Sequence, residues 1–287
     1  PYTINSLAGG TYGITVTDAN LSSTTTSVLV QYLPVTNVTL NTHYLTIQAA
    51  ITAATATNVI EVCKGTYAEN ITVDKALTIN GPNAAIDGCS GGRVLEAIVV
   101  PATNAVGSGE LFHIAASGVS IKGFTLDGDN TLLTSGVTNT TGADMNAAEG
   151  VVIYENNINN LTVSNNIFQN LSYFGVTLYG GSSGAATSGH SVDHNKFQNL
   201  GTYNDPAAPP ANINFWGGGV LLYNNQYAAV NNNCMTNLRI GVQTGNYSQA
   251  NPGAATYQVI DNNTMSVRRR GIFHNLAYTA ASGFTLS

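Results

Sequence analysis

Four groups of side chains in this sequence have types and spacings that could do chemistry. Arg268, Arg269 and Arg270, with His274 four positions on, form the one basic cluster of a chain with 9 Lys+Arg against 15 Asp+Glu. Strand alternation places Arg268 and Arg270 on one face and Arg269 on the other. Such a pair with a histidine could neutralise an acidic polymer and move a proton, or it could simply pair with carboxylates at a solvated strand edge. Asp127 and Asp129, with Asp87, supply oxygens of the kind Ca2+ takes, and apart from Ca2+ no cofactor is expected. Leu126-Asp-Gly-Asp-Asn130 also reads as an ordinary turn. Glu149 and Glu155 could reach the separation of roughly 6.5–9.5 Å that an inverting glycosidase needs, although nothing else in the sequence selects them. Tyr154, Tyr173, Tyr179, Tyr203, Trp216, Tyr223 and Tyr227 could stack on sugar rings or only pave a surface. No P-loop, zinc spacing or G-x-S-x-G motif occurs.

A repeat positions these residues. Leu161-Thr-Val-Ser-Asn-Asn-Ile-Phe-Gln-Asn-Leu171 leads to Gly175-Val176, and related segments lead from His190 to Gly219-Val220, from Ala228 to Gly241-Val242 and from Gln258 to Gly271-Ile272. A further copy starts at Gly283-Phe-Thr-Leu286. Asn166, Asn195, Asn233 and Asn263 mark the copies at steps of 29, 38 and 30 residues. A fixed motif at such a period predicts a stacked architecture.

Val163, Val192, Val230 and Ile260 should form one inward column. Phe168, Phe197, Met235 and Met265 should form a second, and Val176, Val220, Val242 and Ile272 a third. The period is that of strands, and no copy contains a helical stretch. The expected fold is all-β: a right-handed, single-stranded parallel β-helix over 35–287, with a sandwich carrying Asn-rich turns as the alternative. The four marker asparagines would bond one another as a ladder. Gly180–Gly189, Gly201–Phe215 and Tyr247–Thr256 vary in length and read as loops, either binding segments or spacers.

Ahead of the repeats, Ile47, Ala50, Ile51 and Ala54 share one helical face, with Thr46 as N-cap. The string TIQAAI…NVIEVCKGTYAENITVDKALTINGP resembles the opening of pectin-lyase-like parallel β-helix proteins, and the resemblance covers about Leu40 to Ser287. It implies that the short helix, Thr46–Ala54, caps the first rung. It leaves activity open, because that superfamily holds lyases, hydrolases, esterases, adhesins and phage tailspikes. The paired aspartates of polygalacturonases do not occur, nor do the W-x-D-H of pectate lyases and the G-x-x-D-F-I-F-G of pectin esterases.

Residues 1–34 differ. Leu7-Ala-Gly-Gly-Thr-Tyr-Gly-Ile-Thr-Val-Thr-Asp-Ala-Asn20 alternates and then turns, with Thr24–Val30 as the return strand. This resembles the last hairpin of repeats in large bacterial gliding-motility and surface adhesins, and it implies a partial β repeat of a longer polypeptide.

Only 8% of residues are charged, against about 25% in ordinary domains. With a net charge of −6, that argues against nucleic acid as a partner. No apolar run reaches the length of a membrane-spanning helix. Cys63 and Cys89, 26 residues apart, would fall on adjacent rungs and form a disulfide or stay as buried thiols, with Cys234 left over. The expected role is a secreted or cell-surface structural and adhesive module without catalytic residues. Its partners would be carbohydrate, other surface proteins or copies of itself docked end to end over the last rung. The alternative is an extracellular polysaccharide lyase or glycoside hydrolase acting on an acidic polymer through Arg268, Arg270 and His274.

Overall fold

A computed structural model describes residues 10–180, 187–202, 217–224, 226–246 and 259–276. Most of the three expected loops, together with Tyr203, Trp216 and the segment 283–286, lie outside the described residues.

Gly10–Thr17 and Ser23–Val30 pair antiparallel as a two-stranded sheet of their own. Their turn is closed by Asp18, whose Oδ1 accepts from the backbone N–H groups of Asn20 and Ser22, each at 2.9 Å. Alternation places Tyr12, Ile14 and Val16 on one face, with Val28 opposite Tyr12.

From Val35 the chain is all-β and mostly parallel. Its one described helix, Ile47–Ala53, buries Ile47, Ala50 and Ile51. Thr46 accepts from Ala49 N–H at 3.1 Å as the N-cap. Two more free N–H groups of the first turn, on Ile47 and Gln48, donate to the two oxygens of Glu69, each at 2.9 Å. A carboxylate there also meets the positive end of the helix dipole.

The strands form three ladders. The first runs through Val59–Val62, Thr78–Asn80, Ser120–Lys122, Thr162–Ser164, Thr187–Asp193, Gln226–Asn231 and Val259–Asp261. The second runs from Gly65–Ala68 through Ala97–Val100, Thr125–Asp127, Ile167–Gln169 and Lys196–Gln198 into the first half of Cys234–Asn246. The third runs from Ile71–Val73 through Ala105–Ile114, Ala147–Ile153, Phe174–Tyr179 and Gly218–Tyr223 into the second half of that strand. The second and third ladders merge there and in Thr264–Leu276, so they count as one curled sheet. Each turn of the chain around the three ladders is called a tier below, and the arrangement is compatible with a parallel β-helix.

The register follows the three apolar columns. Val163 pairs with Val192, Val192 with Val230 and Val230 with Ile260. Phe168, Phe197, Met235 and Met265 stand in register, and the two rings stack at 4.8 Å. Val151, Val176, Val220, Val242 and Ile272 form the third column. The tiers bend at Asn165, His194, Asn232 and Asn262, and again at Asn170, Asn199 and Asn237, all with φ between 51° and 60°. Asn tolerates this left-handed region better than most residues do.

The marker asparagines form a continuous chain, buried from Asn166 to Asn233 and half-buried at Asn263. The backbone and side-chain nitrogens of Asn166 both donate to Asn195 Oδ1, at 3.0 and 3.1 Å. Asn195 does the same to Asn233, and Asn233 to Asn263. Phe124 N–H donates to Asn166 Oδ1 at 3.0 Å and extends the line by one tier.

The expected Cys63–Cys89 disulfide does not form. Cys89 is bonded to Cys234, and Cys63 is free and exposed. The spacing argument fails because residues 81–96 contain no strand. Cys89 does not sit on the tier next to Cys63; it lies on a segment that leaves the tiers and runs along their axis.

Candidate functional site

Ladder pairing gathers a set of titratable groups far apart in sequence. Glu110 on Ala105–Ile114 is the register partner of Glu149 on Ala147–Ile153, so their backbones lie one strand spacing apart, about 4.8 Å. Glu149 is almost wholly buried. Both of its oxygens are occupied: the Tyr154 hydroxyl donates to Oε2 and the Thr177 hydroxyl to Oε1. Thr177 arrives from the next tier, where it is the register partner of Val152.

On the outer side, His113 Nε2 lies 2.6 Å from Glu155 Oε1 and its Nδ1 lies 3.5 Å from Glu110 Oε1. Glu155 Oε2 accepts from Tyr154 N–H at 3.2 Å. The rings of His113 and Tyr154 meet edge to face at 6.0 Å. Tyr154 therefore bridges the two glutamates, with its hydroxyl on one and its backbone N–H on the other.

Burial pushes the Glu149 carboxyl above the usual carboxylate range; Thr177 and Tyr154 oppose that push, while the charge of Glu110 adds to it. Burial, then the charge of Glu149, pushes the Tyr154 phenol up in turn. The result is a buried carboxyl of raised pKa beneath a half-exposed His–Glu pair, an arrangement suited to proton transfer at the outer side. Glu149 itself, with both oxygens engaged, fixes Tyr154 in place.

The groups that stood out in the sequence are distributed differently. Arg268 Nε donates to Asn237 Oδ1 at 2.5 Å. Arg270 lies over the Phe273 ring at 3.9 Å. His274 Nδ1 faces Thr244 Oγ1 at 2.5 Å. These three do not converge. Strict alternation from Arg268 to Arg270 fails because the pairing of the two longest strands shifts register twice, on either side of Leu238.

Asp127 does not present its oxygens to a cation. Oδ1 accepts from Asn170 Nδ2 and Asp129 N–H, and Oδ2 accepts from Gln169 Nε2. Groups that donate hydrogen bonds surround the carboxylate where Ca2+ would need further oxygens. Asp87 caps its own turn by accepting from Cys89 N–H at 2.7 Å. Among the described residues no group of three His, Cys, Asp or Glu is placed to hold a metal.

Of the aromatics, Tyr179 and Tyr223 stack at 5.3 Å, and Tyr173 meets Phe174 edge to face at 4.8 Å. Sequence reasoning had noted Glu149, Glu155 and Tyr154 but missed Glu110, His113 and Thr177, which carry no repeated motif. Only the ladder register reveals them. Compared with protein-family models, with curated proteins and with solved structures, the chain matches none.

Proposed function

We propose that residues 35–287 form a right-handed, single-stranded parallel β-helix that serves as a stiff structural or adhesive module of a secreted or cell-surface protein. In this reading the hairpin Gly10–Val30 belongs to a neighbouring β repeat. The observation that carries it is the asparagine chain from Asn166 to Asn263, which ties successive tiers through side-chain hydrogen bonds parallel to the stacking direction, buried as far as Asn233. Such a chain makes a rod whose tiers do not shear independently. Handedness follows from the strong preference of parallel crossovers for the right hand. The low-charge surface suits contact with carbohydrate or with further surface proteins.

The second reading is polysaccharide cleavage, and the Glu110–His113–Glu149–Tyr154–Glu155 group favours it. That group would make the activity a hydrolysis assisted by His113 and Glu155 rather than elimination at Arg268 and Arg270. One experiment separates the readings. The protein is incubated with uronate, neutral and amino-sugar polymers, and the reaction is followed by a reducing-sugar assay and by ultraviolet absorbance of unsaturated ends. A parallel assay measures retention of protein-coated beads on the same immobilised polymers. The structural reading expects retention or inert surfaces, with no new chain ends. Turnover that is lost in His113→Ala would replace it with the hydrolase reading. Turnover lost in Arg268→Ala would replace it with the lyase.

A further inference from the structure

We propose that residues 83–94, locked by the Cys89–Cys234 disulfide, are a redox-operated clamp that holds the stack shut along its axis. After Thr78–Asn80 the chain does not turn into the next strand. It descends across successive tiers instead, and each contact is to a later one. Gly81 N–H donates to Lys122 O at 2.7 Å. Asn165 Nδ2, one tier further, donates to Ala84 O at 2.7 Å. Gly88 N–H donates to His194 O at 2.9 Å, one tier beyond that. Cys89 then bonds to Cys234, which follows Gln226–Asn231. From Asn80 to that tier is four strand spacings, roughly 19 Å.

The segment lies directly on the backbone it crosses. A Cβ on Gly88 would stand 2.5 Å from Asn166 O and 2.9 Å from His194 O, so only glycine allows this approach. Its two limbs are tied at the base, where the Asn83 side chain exchanges both hydrogen bonds with the Val94 backbone at 2.8 and 3.1 Å. Arg93, paired with Glu96 at 2.7 Å, donates to Ile86 O and to Asn165 O. The returning limb is thus fastened to the same tier as the descending one.

Two features make the disulfide operable rather than merely structural. First, Cys89 is exposed while Cys234 is half-buried, so a reductant reaches Cys89 Sγ without unfolding. A dithiol reductant forms a mixed disulfide there as the Cys234 thiolate leaves. Its second thiol then closes a cyclic disulfide and releases the Cys89 thiolate, and both thiolates take protons from water. Second, the bond spans 145 residues. Its loss returns a long loop to the chain, and the tiers at and past Cys234 are then held to the earlier ones by strand pairing and side-chain hydrogen bonds alone.

The test uses the full chain. Free thiols are counted in the folded protein before and after dithiothreitol under native conditions, and hydrogen exchange is followed by mass spectrometry. One free thiol, Cys63, is expected before reduction and three after. On reduction, exchange over 83–94, 226–246 and 259–276 should quicken by about tenfold or more, while 47–80 is unchanged. In exchange, Cys63→Ser should match the parent in both states and Cys89→Ser should match the reduced parent. If Cys89→Ser does not accumulate folded, reduction of the parent decides alone. Three free thiols in the untreated protein would overturn the clamp, as would exchange that is unaltered by reduction or raised evenly along the whole chain.

Discussion

Asn233 Oδ1 accepts two hydrogen bonds from Asn195, one from the backbone nitrogen at 2.9 Å and one from the side-chain nitrogen at 3.1 Å. Asn195 Nδ2 also donates to Val163 O, and Asn195 Oδ1 receives the same pair of bonds from Asn166. One side chain therefore satisfies two backbone groups of the preceding tier, in a place where water does not reach.

Asn195→Ala should consequently cost more than an ordinary surface amide. It orphans Asn166 N–H in the interior and removes one bond each from Val163 O and from Asn233 Oδ1, which keeps the Asn195 backbone N–H, and the expected loss is about 2–3 kcal/mol. Asn262→Ala, at an exposed bend, should cost under about 1 kcal/mol. Urea denaturation of both variants measures the contrast. Equal midpoints would mean that the asparagine chain contributes nothing beyond its bends.

Gly175 marks a second tight contact. A Cβ there would lie 2.6 Å from two ring carbons of Phe197. Gly175→Ala should destabilise by about 1–3 kcal/mol through overpacking. Phe197→Leu alone should also destabilise, by removing a ring stacked on Phe168. Combined, the two changes should cost less than their sum, because the smaller side chain clears the space that the new methyl needs. Strict additivity in a double-mutant cycle would show that this glycine is not there for the ring.

Two buried groups give pH dependence of opposite sign. Glu149 has its folded pKa raised above 4.5 by burial, so its contribution is fully present below 4.5 and is lost as pH rises through the folded value. His190, buried with Nδ1 3.3 Å from Leu161 N–H, has its pKa lowered from 6.5 to about 4. Its contribution is present above 6.5 and is lost as pH falls towards 4. Glu149→Gln should therefore remove the loss on the alkaline side and raise stability at pH 7.5 relative to pH 5. Denaturant midpoints at the two pH values check this. A larger penalty for Glu149→Gln at pH 7.5 than at pH 5 would mean that the carboxylate is ionised and useful.

Much of the stack is legible in the sequence because its columns recur. Val163 and Val192, or Phe168 and Phe197, repeat at one position of a period-2 pattern, and each must find its copy to bury both faces. The helix at Ile47–Ala53 is legible for the same reason, through its apolar face and Thr46. The carboxylate that completes its cap, Glu69, is not, since it comes from a different strand. The pairing of Cys89 does not follow from residue spacing, because a tier has no fixed number of residues and the segment after Asn80 leaves the tier altogether. The length of that strandless stretch was the available signal. Glu110, His113 and Thr177 are not legible as neighbours of Glu149 because they carry no repeated motif, and only strand register brings them together.

A chain of near-identical tiers faces a problem of counting. Each asparagine bonds equally well to any copy of itself, and each valine column fits a neighbour one step out of place. Nothing in the repeated positions distinguishes the intended alignment from one slipped by a tier. Cys89 does distinguish them. The residues in register with Cys234 on the flanking tiers are Lys196 and Thr264. A chain aligned one step short or long would bring an amine or a hydroxyl to the sulfur, and the covalent bond could not close. The disulfide thus acts as a ruler that records, chemically and once, that Cys234 stands four tiers on from Asn80.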